Sequence, residues 1–168
     1  MSARPMIHEF LRDAQVPYTV VPHRPAFSAQ EQAAAAHVPG RDWAKVVICM
    51  VDGRPIQAVL PATMTLNFRW LRDLTSGDDI RLATEDELRS LFPTCEIGAA
   101  SPLPIYGYPV YVDVALAFEP HIVFNAGTLA EAISMRWADF AKTSRPIVGN
   151  FAEPPLEGVG AFRLSFRE

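Results

Sequence analysis

One lysine stands out among the residues that could do chemistry. Lysine occurs twice in the chain against thirteen arginines, and Lys45 opens its most apolar run, Ala44 to Val51. Period-2 alternation puts its side chain on the face of Val47, Cys49 and Val51. A run apolar on both faces predicts a central strand, so the ammonium must either snorkel to water or meet an anion. A positive charge fixed at a pocket rim would suit a phosphate or carboxyl oxygen. A strand-end lysine with its head in water is the plainer alternative.

Two turns of small residues offer backbone rather than side-chain chemistry. In Gly98-Ala99-Ala100-Ser101-Pro102 a ligand could approach the main chain closely. Pro102 fixes its own φ and holds Ser101 extended, which predicts a stiff loop whose N–H groups suit a carbonyl or oxyanion. An ordinary tight connection would use the same residues. Phe124-Asn125-Ala126-Gly127-Thr128 follows an apolar run and again combines free amides with a hydroxyl, although Asn and Gly also make plain turns.

Familiar catalytic signatures are absent from the sequence: no Cys-x-x-Cys, His-Glu-x-x-His, Gly-x-Ser-x-Gly or Walker loop. Gly158 and Gly160 begin a dinucleotide fingerprint that lacks its third glycine. His8, His23, His37 and His121 are scattered, and Asp78-Asp79 follows Gly77 where turn chemistry accounts for it. No general base is evident. Cys49 and Cys95 have no metal or redox spacing and read as two reduced thiols.

The elements that would position these residues follow from periodicity and caps. Ile7, Phe10, Leu11 and Ala14 predict a helix over 5–15, ending before Pro17. A short strand over 18–21 precedes an alanine-rich helix opened by Ser28 and Glu31. Residues 44–51 and 55–60 predict a hairpin about Asp52-Gly53. A helix is expected over 65–74 with Leu66, Trp70, Leu71 and Leu74 on one face, and another from the Thr84/Glu87 capping box to about Phe92. Residues 93–109 read as an apolar loop that packs against something or lines a pocket. Strands are expected over 110–117, 121–125 and 130–136, a short helix over 137–142, and an amphiphilic strand from Phe162 to Phe166. Helices and strands mix without βαβ alternation, which predicts an α+β fold, a curved mixed sheet flanked by helices.

The whole chain, 168 residues, fits one domain, and no apolar run approaches the ~20 residues that span a bilayer. The N-terminus lacks a secretory apolar region, which predicts a cytoplasmic protein with no membrane partner. Net charge is −4 and the pI about 5.6, so broad electrostatic grip on nucleic acid is not expected. Arg54, Arg69, Arg72, Arg81 and Arg89 alternate with acids and read as a solvated mixed face. Any RNA contact should be local and salt-sensitive.

Taken in order, these motifs resemble the YbaK/prolyl-tRNA-synthetase-associated editing domain family. The matching features begin with Lys45 opening an apolar strand and the return through Leu60-Pro61-Ala62. A Glu-Asp-Glu-Leu helix, Gly98-x-x-x-Pro102 and Phe124-Asn125-Ala126-Gly127 follow, then Ile133-Ser-Met135 and Trp137-Ala-Asp-Phe140. The resemblance covers about 5–145 and leaves 146–168 as a C-terminal extension of a single domain. It implies a partly barrel-like curved sheet and a freestanding hydrolase that clears a small, wrongly attached amino acid from tRNA. It implies no metal or cofactor, with water and the substrate's ribose hydroxyl carrying much of the chemistry. The partner implied is the acceptor end of mischarged tRNA, with a synthetase or elongation factor left open as a second partner; the oligomeric state stays open as well. Lys45 and Gly98 become the catalytic candidates, with Ala99, Ala100, Ser101, Pro102, Asn125, Ala126, Gly127, Thr128 and Leu129 around the substrate. Alanine-clearing relatives carry histidine where this chain has Leu129, which cannot hydrogen-bond and changes the pocket's size. A non-catalytic module that binds a tRNA end or nucleotide is the competing reading.

Overall fold

The computed structural model describes residues 4–155. Helix α1 (Arg4–Asp13) buries Ile7 and Leu11 and leads into strand β1 (Thr19–Pro22). Ser28 Oγ accepts the Glu31 N–H at 3.1 Å and starts α2 (Ala29–Ala35). Strands β2 (Ala44–Val51) and β3 (Arg54–Pro61) form the expected hairpin. Asp52 and Gly53 both take positive φ, 49° and 79°, as a two-residue hairpin turn of this hand requires.

The next segment differs from the sequence expectation. Leu66 lies in a short strand, β4 (Thr65–Leu66), and helix α3 (Phe68–Thr75) starts only after Asn67, whose side chain accepts the Trp70 N–H. Leu71 is buried, but Trp70 is exposed rather than on the packed face. Strand β5 (Ile80–Leu82) follows, then α4 (Glu85–Leu91), opened by the complete Thr84/Glu87 capping box. After the 93–109 loop, β6 (Val110–Asp113) stops four residues short of the expected 117. The Asp113 carboxylate accepts the Ala115 N–H and starts a helical turn, α5 (Val114–Ala117). Strands β7 (His121–Asn125) and β8 (Glu131–Arg136) and helix α6 (Trp137–Ser144) agree closely with expectation.

Past α6 the chain adds two further short strands, β9 (Ile147–Gly149) and β10 (Ala152–Glu153), and buries Phe151 completely. The expected strand from Phe162 to Phe166 lies outside the described residues.

The architecture is α+β. A five-stranded mixed sheet has the order β5-β2-β3-β6-β9, with β3, β6 and β9 parallel. An antiparallel sheet β1-β8-β7 is joined to it by one parallel bridge, Trp43 to Val123, and β4 pairs, among the described residues, with β10 alone. The sheets curve without closing into a barrel. One core, built on Leu103, Val112, Phe124 and Phe140, fills the space between them; a second, around Leu60, Leu71 and Phe151, lies under α3.

Candidate functional site

Strand β2 is central only in its second half. Strand β5 pairs with Cys49–Val51, the Ala83 N–H just past it donates to the Ile48 carbonyl at 2.9 Å, and β7 bridges β2's chain at Trp43. Between these contacts neither neighbour covers the strand edge, and a cleft of about 250 Å³ opens there. Its walls are mainly apolar: Val46, Val47 and Ile48 from β2, Leu88 from α4, Phe92 just past that helix, and residues 95–98 with Ala100.

The glycine loop turns at Gly98. Gly98 sits at φ +86° with nothing within 4 Å of where a Cβ would be, so backbone conformation rather than space demands glycine. The Ser101 N–H donates to Tyr106 Oη at 3.2 Å, and Gln57 Nε2 donates to the Ser101 carbonyl at 2.8 Å. Tyr106 and Tyr108 pack edge-on against Phe92. Two loop amides, those of Gly98 and Ala100, donate to no acceptor among the described residues, and both residues line the cleft.

The second turn is bound to the first. Asn125 is buried, and its Nδ2 donates to the Gly98 carbonyl at 3.2 Å and to Gln32 Oε1 at 3.0 Å. Ser101 Oγ donates to the Asn125 carbonyl. The Gly127 N–H donates to Ala99 O at 3.1 Å, and the Leu129 N–H donates to Glu96 Oε2 at 2.6 Å. Gly98 to Pro102 and Asn125 to Leu129 are thus one assembly, although the second turn stands behind the loop rather than on the cleft wall.

Lys45 is not hydrogen-bonded to that assembly. Alternation sends it to the face of β2 opposite Val46, where Nζ donates to the Met64 carbonyl at 2.6 Å. It lines a separate groove of about 330 Å³ with Gln30, Ala62, Thr63, Met64, Thr65 and Pro155. Burial pushes its pKa below the usual lysine range. None of the ion pairs among the described residues includes it. One turn of α2 links the two regions: Gln30 Nε2 donates to Ala62 O at 3.3 Å, while Gln32 holds Asn125.

Neither cysteine is poised for nucleophilic chemistry. Burial pushes the Cys49 thiol up to about 12, and burial likewise raises Cys95, which contacts Tyr106 Oη. No group of three or more His, Cys, Asp or Glu among the described residues could hold a metal ion. No helix there is long and apolar enough to cross a membrane.

Sequence reasoning passed over Gln32, Gln57, Glu96 and Met64. A polar residue inside the apolar run Ile56-Gln57-Ala58-Val59 was a usable signal. Met64 acts through a backbone carbonyl, which side-chain type cannot reveal.

A family model described as an aminoacyl-tRNA editing domain matches residues 23–143. The chain belongs to that family. Among its relatives is the multifunctional Ser/Thr-tRNA deacylase ProXp-y of Escherichia coli (strain K12), 29% identical over 114 residues, which are 64% of this chain and 68% of the relative. A proline–tRNA ligase of Nitratidesulfovibrio vulgaris is 27% identical over 106 residues, 62% of this chain but only 18% of the ligase. Among solved structures, a candidate trans-editing enzyme for prolyl tRNA synthetase superposes with TM-score 0.76 at 18% identity, covering 91% of this chain and 98% of that one. The hypothetical protein APE2540 gives TM-score 0.78 at 18% identity, with 88% and 99% covered. These likenesses show that the editing domain shares the fold of both structures.

Proposed function

We propose that this chain is a freestanding deacylase that works in trans on a tRNA carrying a small amino acid. The class of reaction comes with the family: an aminoacyl-tRNA editing domain is a hydrolase of the aminoacyl ester. Freestanding action and a small acyl group are the finer reading, in which 1–168 is one editing domain with 146–168 as its extension. Support comes from the deacylase relative and from the near-complete cover of the trans-editing structure.

In this reading water adds to the ester carbonyl and the bond to the ribose oxygen breaks. The ribose oxygen takes up the proton that water gives up, leaving free amino acid and tRNA. The unbonded Gly98 and Ala100 amides suit the negative charge that develops on the carbonyl oxygen. Ala99, Ser101 and Pro102 hold those amides in place, and Asn125 to Leu129 brace the loop from behind. Lys45 suits a phosphate or ribose oxygen of the acceptor end. Because Lys45 and Val46 point to opposite faces, the substrate lies over the uncovered edge of β2 and touches both. Apolar walls select by shape, which discriminates by ~1–3 kcal/mol per methylene.

The observation that carries the reading is a half-buried ammonium that, among the described residues, pairs with no carboxylate, heading the strand whose next three residues wall a cleft fronted by two amides that find no acceptor among those residues. The test is ester loss from a panel of mischarged tRNAs, with the protein and its Lys45→Ala variant side by side. Wild-type hydrolysis of at least one small-residue ester, and its loss in the variant, is expected. No turnover with any tRNA, together with retained tRNA binding, would instead favour the non-catalytic module.

A further inference from the structure

We infer that β10, through its ladder with β4 and the Glu153–Asn67 hydrogen bond, positions Lys45. The inference rests on Lys45 belonging to the editing site. Its starting point is the Met64 carbonyl, the group on which the Lys45 ammonium is seated. Met64 immediately precedes β4, and among the described residues β4 has one ladder partner, β10, with Leu66 opposite Ala152 and Thr65 opposite Glu153. Just past β4, the Asn67 N–H donates to the Phe151 carbonyl at 2.8 Å and Asn67 Nδ2 donates to Glu153 Oε2 at 2.9 Å. The 64–67 strip is therefore held from outside by residues 151–153.

That outer segment is itself firmly placed. The Phe151 and Ala152 N–H groups both donate to Asp113 Oδ1 at 2.8 Å, deep in the protein, and the Phe151 ring is fully buried. Two residues beyond β10, Pro155 forms part of the wall of the Lys45 groove. Residues 151–155 lie past the end of the family match at 143. The extension thus builds one side of the groove and fixes the carbonyl that aims the lysine. A displacement of that carbonyl moves the ammonium, and small misplacements of a site group are costly to rate.

The test uses the full chain and its small lysine count. With 13C-labelled lysine, the protein gives side-chain signals from Lys45 and Lys142 only, and Lys142→Arg assigns them. In Glu153→Ala the Lys45 signal and its titration should shift toward those of a free lysine while Lys142 stays put. Glu153→Gln keeps an acceptor for Asn67 and should match the wild type. Asn67→Asp keeps the cap on Trp70 but removes the donor to Glu153, and should reproduce Glu153→Ala. Single-turnover hydrolysis should fall about tenfold in the two disruptive variants, with half-saturation changed less than about twofold. A Lys45 signal unchanged in both disruptive variants overturns the inference, whatever the rates do. A signal that moves, in a protein that deacylates nothing, leaves the positioning standing and removes the proposed function.

Discussion

Lys45 pairs a burial cost with only a carbonyl dipole in return. Burial lowers its pKa from 10.5, so the folded chain binds a proton there less readily than the unfolded chain does. The sign follows: below the lowered pKa the charged lysine costs stability, and the cost fades as pH rises from that value towards 10.5. Lys45→Met should therefore hold or raise the midpoint of urea unfolding at neutral pH and flatten its rise on the alkaline side. Hydrolysis above the buffer rate should fall ~100-fold or more in the same variant. In the wild type that rate should decline as pH climbs through the lowered pKa, before 10.5 is reached, if the cation is what the substrate needs. Glu96 gives a second prediction. Its carboxylate ties Leu129 to the glycine loop from an exposed position, so Glu96→Ala should cost only ~0.5–1.5 kcal/mol in urea melts. Deacylation should slow ~10-fold, because the brace behind the free amides is cut. Rarity marks Lys45 as a candidate in the sequence, and the turn residues around Gly98 and Asn125 mark those two segments. Their supports were not legible: Gln32 reads like any helix glutamine until the fold sets it against Asn125, 93 residues away.

Among the elements, those with local chemical signatures were readable and those defined by distant partners were not. The Thr84/Glu87 box was explicit in the residues and is complete in the structure. Thr84→Ala should cost ~1 kcal/mol, read as a drop in the urea midpoint. Glu87 is held well down, to about 2, first by its hydrogen bond to Arg81 and then by the Thr84 amide. Its contribution is thus complete above 4.5 and drains away as pH falls towards 2, so the deficit of a Glu87→Gln variant should shrink in acid. By contrast, Leu66 was assigned to a helix because Leu66, Trp70 and Leu71 share helical spacing. Only the pairing with Ala152, far along the chain, turns it into a strand. The truncated β6 is an intermediate case: Asp113 is a helix-capping residue by type, but the apolar residues after it read equally well as more strand.

For the whole molecule, fold class could be read from the mixture of helices and hairpins, whereas the parallel run β3-β6-β9 could not, since parallel pairing leaves no turn in the sequence to mark it. The net charge of −4 also acts at this scale. An acidic protein gripping RNA at one end should show a shallow salt dependence, with log affinity falling against log salt by a slope on the order of −1 to −3. Fluorescence anisotropy with labelled tRNA across a salt series would measure it, and a steep slope would point to a broad phosphate footprint. Asp113 has a further consequence, in time. One of its oxygens starts α5, and the other receives the amides of residues 151 and 152. During synthesis this carboxylate emerges from the ribosome long before those two amides do. A nascent chain still short of residue 152 will have made most of its strands and yet leave a charged oxygen unmatched in its interior. Its folding therefore completes only once residues 151 and 152 clear the tunnel.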